Sequence, residues 1–410
     1  MPEFFTLTSI DEARARWFEA APPRIDVETV ETRDALGRVT AETLFSPEPL
    51  PAFPRSTVDG YAVRSADTHG ASASLPAYLT VVGEVAMGQK ARVQVGVGQA
   101  ALVHTGGEVP PGADAVVMLE NTQPATKDQI EVVRAAAAGE NVIQVGEDIR
   151  PGDEVLLPGH VLRPQDIGGL LALGITQIKV ARRPVVAILA TGDEVIPPET
   201  PLQPGQIRDI NSYTIAGQTR EAGGLPVAMG IVPDDFDALR RRTAAALAQA
   251  DMVVLSAGSS VSVRDMTARV FDELGEPGVL VHGVALKPGK PTILGLVNGK
   301  PVIGLPGNPV SAMVVYSLFG APMIWRLQGA PPQEKPSLSA TLAVNVPSTA
   351  GREDFVPARL RRDQAGALWA EPIFGKSNMI YTLVRADGLI HVPMDATGLR
   401  AGEQVEVRLF

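Results

Sequence analysis

The continuous apolar runs Pro184-Val185-Val186-Ala187-Ile188-Leu189 and Met252-Val253-Val254-Leu255 constrain the fold of this 410-residue chain more than any other feature. A strand without polar alternation is buried on both faces, as in a parallel sheet covered by helices on each side. Between the two runs the pattern predicts a helix from Asn211 to Ala222, a strand from Val227 to Ile231 and a helix from Asp234 to Ala250. In that last helix Phe236, Leu239, Thr243, Ala246, Leu247 and Ala250 fall on one side. After the second run come a helix from Asp265 to Leu274, strands near Val281, Ile293 and Val302, and a long helix from about Asn308 to Leu327. Such alternation predicts an open, largely parallel α/β sheet. Ligands of these sheets sit beyond the carboxyl ends of the strands.

The stretch from Asp251 to Ser311 concentrates those strand ends. It holds Ser256-Ala257-Gly258-Ser259-Ser260, Leu286-Lys287-Pro288-Gly289-Lys290-Pro291 and Leu305-Pro306-Gly307-Asn308-Pro309-Val310-Ser311. A strand that stops in small residues and hands over to a helix leaves backbone N–H groups free for an anion. Lys287 and Lys290 flank a Pro-Gly turn that fixes both ammoniums toward one side, although a lysine in such a turn is ordinarily a solvated charge. Ser259 and Ser260 also read as turn serines, and no Gly-Lys-Ser/Thr follows Gly258 to make a P-loop. Six acidic residues stand out by context: Asp59, Asp148, Asp193, Glu194, Asp234 and Asp265. Carboxylates at strand and loop ends can converge on a hard divalent ion such as Mg²⁺. The competing reading is that they form turns and helix caps, and Asp234 and Asp265 stand where caps would. Thr105-Gly106-Gly107 offers a hydroxyl and two backbone positions that could approach a ligand closely.

The remaining sequence sets outer bounds. Length predicts two to four domains, and 45% hydrophobic with 20% charged residues is a globular composition. A net charge of −10 argues against nucleic-acid binding, so any anion site is local. The absence of cysteine excludes disulfides, thiolate metal sites and a cysteine nucleophile, and the five histidines have no ligand-like spacing. No stretch approaches the ~20 apolar residues that span a bilayer, and the N-terminus lacks a signal-peptide pattern, so the expected location is cytoplasmic with no membrane partner. Ser9 and Glu12 have capping-box spacing before a helix that Pro22-Pro23 ends. Pro47, Pro49, Pro51 and Pro54 stiffen the approach to Asp59-Gly60-Tyr61. From Leu79 to Ile143 short β-rich runs predict a small β domain, and Gly152 to Gly174 holds a turn and a short helix. Beyond Pro331-Pro332, runs at Leu338–Val346, Phe355–Leu360, Ala367–Glu371, Tyr381–Val384, Leu389–Val392 and Gln404–Leu409 predict a separate small barrel or sandwich.

Seven ordered segments together carry a resemblance. They are Ser56-Thr57-Val58-Asp59-Gly60-Tyr61-Ala62-Val63-Arg64; Thr105-Gly106-Gly107 followed by Pro111-Gly112-Ala113-Asp114; Gly146-Glu147-Asp148-Ile149; Thr191-Gly192-Asp193-Glu194; Gly205-Gln206-Ile207 with Asn211; Lys287-Pro288-Gly289-Lys290-Pro291; and Leu305 to Ser311. Over nearly its whole length the chain resembles the molybdopterin molybdenumtransferases, a family also represented by the E domain of gephyrin. The resemblance implies insertion of molybdenum from molybdate into adenylylated molybdopterin, with Mg²⁺ as cofactor and AMP released. It implies active-cleft roles for Asp59, Thr105, Asp148, Glu194, Asp234 and Asp265, with Asp59, Glu194 and Asp234 as metal ligands. Gly258, Ser259, Ser260 and Asp265 would hold the pterin and adenylate. Lys287, Lys290, Pro291, Ser311, Arg352 and Ser377 would form the molybdate pocket, beside Pro306, Gly307 and Asn308.

The fold implied is multidomain α/β plus β. A small linking domain would comprise 24–45 and 145–178, a β-rich insertion domain 46–144, a central open, mostly parallel α/β domain 1–23 and 179–328, and a C-terminal β-barrel-like domain 329–410. A homodimer is implied in which the insertion reaches across, so that Asp59 and Thr105 complete the partner's cleft. Molybdopterin adenylyltransferase and molybdoenzyme delivery proteins are the other partners expected. Family members commonly carry glycine where Ala257 and Ser262 stand, and side chains there could narrow the pterin approach; Pro54-Arg55 replaces an Asp-Asn often found before Asp-Gly-Tyr. Alternatives are an adenylyltransferase acting one step earlier, a cofactor-carrier or scaffold protein, and use of tungstate in place of molybdate.

Overall fold

A computed structural model describes residues 7–257 and 261–410. The two apolar runs lie side by side in a six-stranded sheet ordered Leu225–Val232, Val185–Thr191, Met252–Ala257, Lys300–Pro306, Ile293–Val297, Pro277–His282. The first four strands are parallel and the last two join antiparallel. Alternate side chains of each strand go to opposite cores. Val186, Ile188, Met252, Val254, Ile303 and Leu305 pack under the helix Asn211–Glu221 and the long helix of residues 309–327. Ala187, Leu189, Val253, Leu255 and Val302 pack under Phe236–Gln249 and Val261–Leu274. Burial on both faces is why these strands read as unbroken apolar runs.

The long helix contains a π turn at Tyr316–Gly320 between Pro309–Val315 and Ala321–Leu327. Gly320 lies against the Tyr316 ring, where a Cβ would meet ring carbons at 2.4 Å. Its 19 residues are long and apolar enough to cross a bilayer, which corrects the expectation that no stretch approaches that length. However, 72% of its most apolar window is buried inside the protein, so it is a core helix.

The N-terminal helix Ile10–Ala20 starts as its spacing predicts, with the Ser9 hydroxyl accepting from the Glu12 N–H. Trp17 is fully buried and donates to the Gly295 carbonyl, docking this helix on the antiparallel edge of the sheet. Val27–Glu31 pairs with Gln177–Ala181, and with the helix Pro164–Ala172 they enclose a small core of Ala35, Leu162, Leu170, Ile178 and Val180. Residues between carry a second six-stranded sheet, ordered Ala115–Met118, Gly60–Val63, Gln99–Val103, Ala77–Glu84, Gln129–Val132, Thr122–Thr126.

In the C-terminal region Glu353–Arg362, Leu368–Pro372, Ser337–Leu342, Gln404–Leu409 and Gly388–Val392 form a closed barrel, because Glu353–Arg362 pairs with both Leu368–Pro372 and Gly388–Val392. The short strand Leu286–Lys287 of the α/β region adds to this barrel, parallel to Glu353–Arg362. That addition brings the two regions together where the site lies.

Three local expectations need correction. Asp235, not Asp234, caps the helix Phe236–Gln249, accepting from the Ala238 N–H at 2.8 Å. Asp265 is no cap either: it lies inside Val261–Leu274, which begins four residues earlier than expected. Tyr381–Val384, expected as a strand, is a helical turn, with Thr382 Oγ1 donating back to the Met379 carbonyl. Its β-branched and aromatic residues favour strands, but local hydrogen bonding wins.

Candidate active site

Where the α/β region meets the barrel there is a cavity of about 840 Å³. One wall is the Lys-Pro-Gly-Lys turn. Gly289 has φ +126° and a Cβ there would meet Val315 Cγ2 at 2.4 Å, so only glycine lets the turn settle onto the long helix. The Thr292 hydroxyl donates to the Gly289 carbonyl at 2.6 Å and fixes the turn from behind. Lys287 and Lys290 are both exposed at its ends. From the barrel, Arg352 Nε donates to Asp354 Oδ1 at 2.9 Å, and Lys287 Nζ lies 3.5 Å from Asp354 Oδ2. Asp354 is only 2% exposed, so one buried carboxylate holds two cations contributed by different regions. The floor is the start of the long helix, where Ser311 is buried. Ser377 is tied to it twice: its carbonyl accepts from the Val310 N–H at 3.1 Å, and its hydroxyl from Asn308 Nδ2 at 2.9 Å. The cavity therefore gathers Lys287, Lys290, Pro291, Pro306, Gly307, Asn308, Ser311, Arg352 and Ser377 in one place.

A second cavity of about 330 Å³ adjoins it and shares Gly307, Asn308 and Asn378. Its lining includes Thr191, Glu194, Asn211 and Ser256, at the carboxyl ends of parallel strands. The turn after Thr191 depends on Gly192, whose φ is +141° and whose Cβ would lie 2.7 Å from Val195 Cγ2 and 2.9 Å from Glu194 Oε2. Asn211 donates to Ser256 Oγ and to the Gly307 carbonyl, both at 2.8 Å, and so joins the ends of two neighbouring strands. Asp234 is close to this turn, its N–H donating to Asp193 Oδ1 at 3.1 Å. Burial holds the Asp234 carboxyl above the usual range, and the charges of Asp193 and Glu194 push the same way. Its Oδ1 is buried without a hydrogen-bond partner among the described residues.

The other expected residues lie elsewhere. Asp59 Oδ1 accepts from the Thr105 N–H at 2.8 Å and from the Thr105 hydroxyl at 3.1 Å, and these bonds hold the Asp59 carboxyl low. The pair is exposed on the insertion sheet and lines neither cavity. Asp148 is exposed in a turn, its N–H donating to the Leu50 carbonyl. Asp265 is exposed on its helix, and Gly258, Ser259 and Ser260 fall outside the described residues. Asp59, Glu194 and Asp234 do not form a metal-holding group within the chain: among the described residues no three histidine or acidic side chains do. Sequence reasoning missed Asp354, although its spacing two residues after Arg352 is a signal for side chains on one face of a strand. It also left Asn211 without a role.

Comparison with known proteins bears on the whole chain. A family model described as "MoeA N-terminal region (domain I and II)" matches residues 8–174, one described as "Probable molybdopterin binding domain" matches 187–326, and "MoeA C-terminal region (domain IV)" matches 339–410. Molybdopterin molybdenumtransferase 2 of Mycobacterium tuberculosis is 34% identical over 388 residues, covering 92% of this chain and 94% of that protein. The chain belongs to the molybdopterin molybdenumtransferase family. The molybdopterin molybdenumtransferase of Haemophilus influenzae is 32% identical, with 98% of this chain and 99% of that one covered. A crystal structure of the molybdopterin biosynthesis MoeA protein of Pyrococcus horikoshii OT3 superposes with a TM-score of 0.86 at 33% identity, covering 99% of this chain and all of that one. The chain is thus a transferase of molybdenum-cofactor biosynthesis. In it the joined cavities lie in and beside the segment matched as molybdopterin-binding, and the barrel supplies Arg352 and Ser377.

Proposed function

We propose that the chain catalyses Mg²⁺-dependent insertion of molybdenum from molybdate into adenylylated molybdopterin, releasing AMP. The observation that carries this reading is the union of two cavities across Gly307 and Asn308, the charged residues of the larger being mainly cations and those of the smaller Glu194 and Asp209 with Arg208. The larger presents Lys287, Lys290 and Arg352 with the hydroxyl residues Ser311 and Ser377. A tetrahedral oxyanion needs such a mixture of compact ammonium, guanidinium and hydroxyl donors. The smaller, with Glu194 on its wall and Asp234 nearby, suits the pterin and adenylate side.

Glu194 and Asp234 fit Mg²⁺, since Asp234 keeps a buried oxygen without a hydrogen-bond partner among the described residues, and burial, with the charges of Asp193 and Glu194, holds its carboxyl above the usual range. A cation held by two carboxylates, with phosphate and water completing the shell, is the usual arrangement for this metal. When bound, Mg²⁺ offsets charge developing on the phosphoanhydride. The protein's own groups bind and orient: Asp354 fixes Lys287 and Arg352, and Asn211 keeps the two strand ends in register beneath the ligand. A homodimer in which Asp59 and Thr105 complete the partner's cleft belongs to this reading.

The test is AMP release from adenylylated molybdopterin as a function of molybdate, repeated with tungstate and with Lys290→Ala. Turnover at limiting molybdate should fall about ten-fold in the variant, as for loss of one charge-assisted hydrogen bond. Unchanged turnover would sink the oxyanion assignment. AMP transfer onto molybdopterin from ATP would instead support an adenylyltransferase.

A further inference from the structure

Among the described residues four cations line the larger cavity, Lys287, Lys290, Arg352 and Lys376, against the single carboxylate of Asp354. Asp354 divides them unequally. It engages Arg352 Nε at 2.9 Å and Lys287 Nζ at 3.5 Å, while the ammoniums of Lys290 and Lys376 have no ion-pair partner among the described residues. The held pair forms a fixed wall partly neutralised by a buried charge. The free pair carries about two positive charges, the complement of a tetrahedral dianion.

We infer that Lys376 is an oxyanion-binding residue that works with Lys290, the two ammoniums taking the dianion between the α/β region and the barrel. Its backbone is held at and just after this position, with the Ile373 N–H donating to the Pro357 carbonyl three residues before it, which distinguishes it from a loose surface lysine. The Lys376 carbonyl accepts from the Met379 N–H at 2.9 Å. The next residue, Ser377, is tied to the long helix and to Asn308. Asn308 lines both cavities, as does Asn378, and Lys376 lines the larger one two residues before Asn378. A long flexible stem on a fixed root lets an ammonium reach an anion without moving the backbone. The assignment rests on the proposed oxyanion reading of this cavity.

Equilibrium binding of molybdate to the full-length protein by calorimetry, with Lys376→Met, Lys376→Arg and Lys290→Ala beside the parent, tests it. Lys376→Met should weaken molybdate about ten-fold, Lys376→Arg should stay close to the parent, and raised ionic strength should narrow the gap. Because Lys376 is exposed, the variants should melt with the parent. If Lys290→Ala weakens binding and Lys376→Met does not, the Lys376 assignment is overturned and the cavity reading stands. If neither variant changes molybdate affinity, the cavity reading itself fails.

Discussion

Two aspartates of this protein are tuned in opposite directions by their surroundings. Asp59 is exposed and accepts two hydrogen bonds from Thr105, which favour its ionised form. Asp234 is partly buried beside Asp193 and Glu194, which favours its neutral form. A carboxyl whose folded pKa is raised contributes its full stability while the unfolded chain is also protonated. That contribution is lost as pH rises from about 4, the ordinary aspartate value, through the raised folded one. Asp234→Asn removes the ionisation. The variant should therefore melt above the parent at neutral pH, with the difference shrinking as pH falls toward the ordinary aspartate range. Mg²⁺ should raise the melting temperature of the parent more than that of the variant. Thermal melts across pH, with and without Mg²⁺, check both expectations; a gain independent of pH would show that ionisation of Asp234 is not its source.

At the scale of elements, Asn211 opens the helix Asn211–Glu221 and its amide joins the ends of Met252–Ala257 and Lys300–Pro306. Asn211→Ala leaves the Gly307 carbonyl and the Ser256 hydroxyl without these bonds in a buried place. The cost should be roughly 1–3 kcal/mol, read as a lower melting temperature, with pterin binding weakened as the shared rim at Gly307 loosens. An unchanged melting temperature would mean water or a shift of the Asn308 turn replaces the amide. The strands feeding this rim were legible because burial on both faces writes itself as an apolar run, and the Ser9 cap because a hydroxyl and its backbone donor lie three residues apart. Asp234 and Asp235 satisfy the cap pattern equally, and only the backbone direction selects Asp235. Tyr381–Val384 differs for another reason: its side chains favour strands, and hydrogen bonds to Met379 and Ile380 bend it into a turn.

At the scale of the molecule, the site is assembled from segments far apart in the chain, and that limits what local pattern can disclose. The Lys-Pro-Gly-Lys turn and the Pro-Gly-Asn-Pro turn announced themselves, but the carboxylate that joins Lys287 to Arg352 depends on a barrel strand pairing with Leu286–Lys287. The same limit applies to Asp59 and Thr105. Neither cavity is lined by any residue of the 46–144 segment, although this segment carries the exposed Asp59 and Thr105. A two-fold dimer would resolve this if the insertion sheet of one protomer met the cleft of the other. The arrangement has a sharp consequence for a heterodimer of Asp59→Asn and Asp265→Asn chains. With clefts shared between protomers, one cleft keeps both aspartates and the other loses both. The heterodimer, purified through two different tags, should then show about half the AMP-release activity of the parent dimer, while each mutant homodimer is inactive. With clefts complete within one protomer, both are damaged and the purified heterodimer stays as inactive as its parents. Asp59 and Asp265 are exposed, so neither substitution should prevent folding or pairing, and equal melting temperatures of the three species would confirm that activity reports the cleft alone.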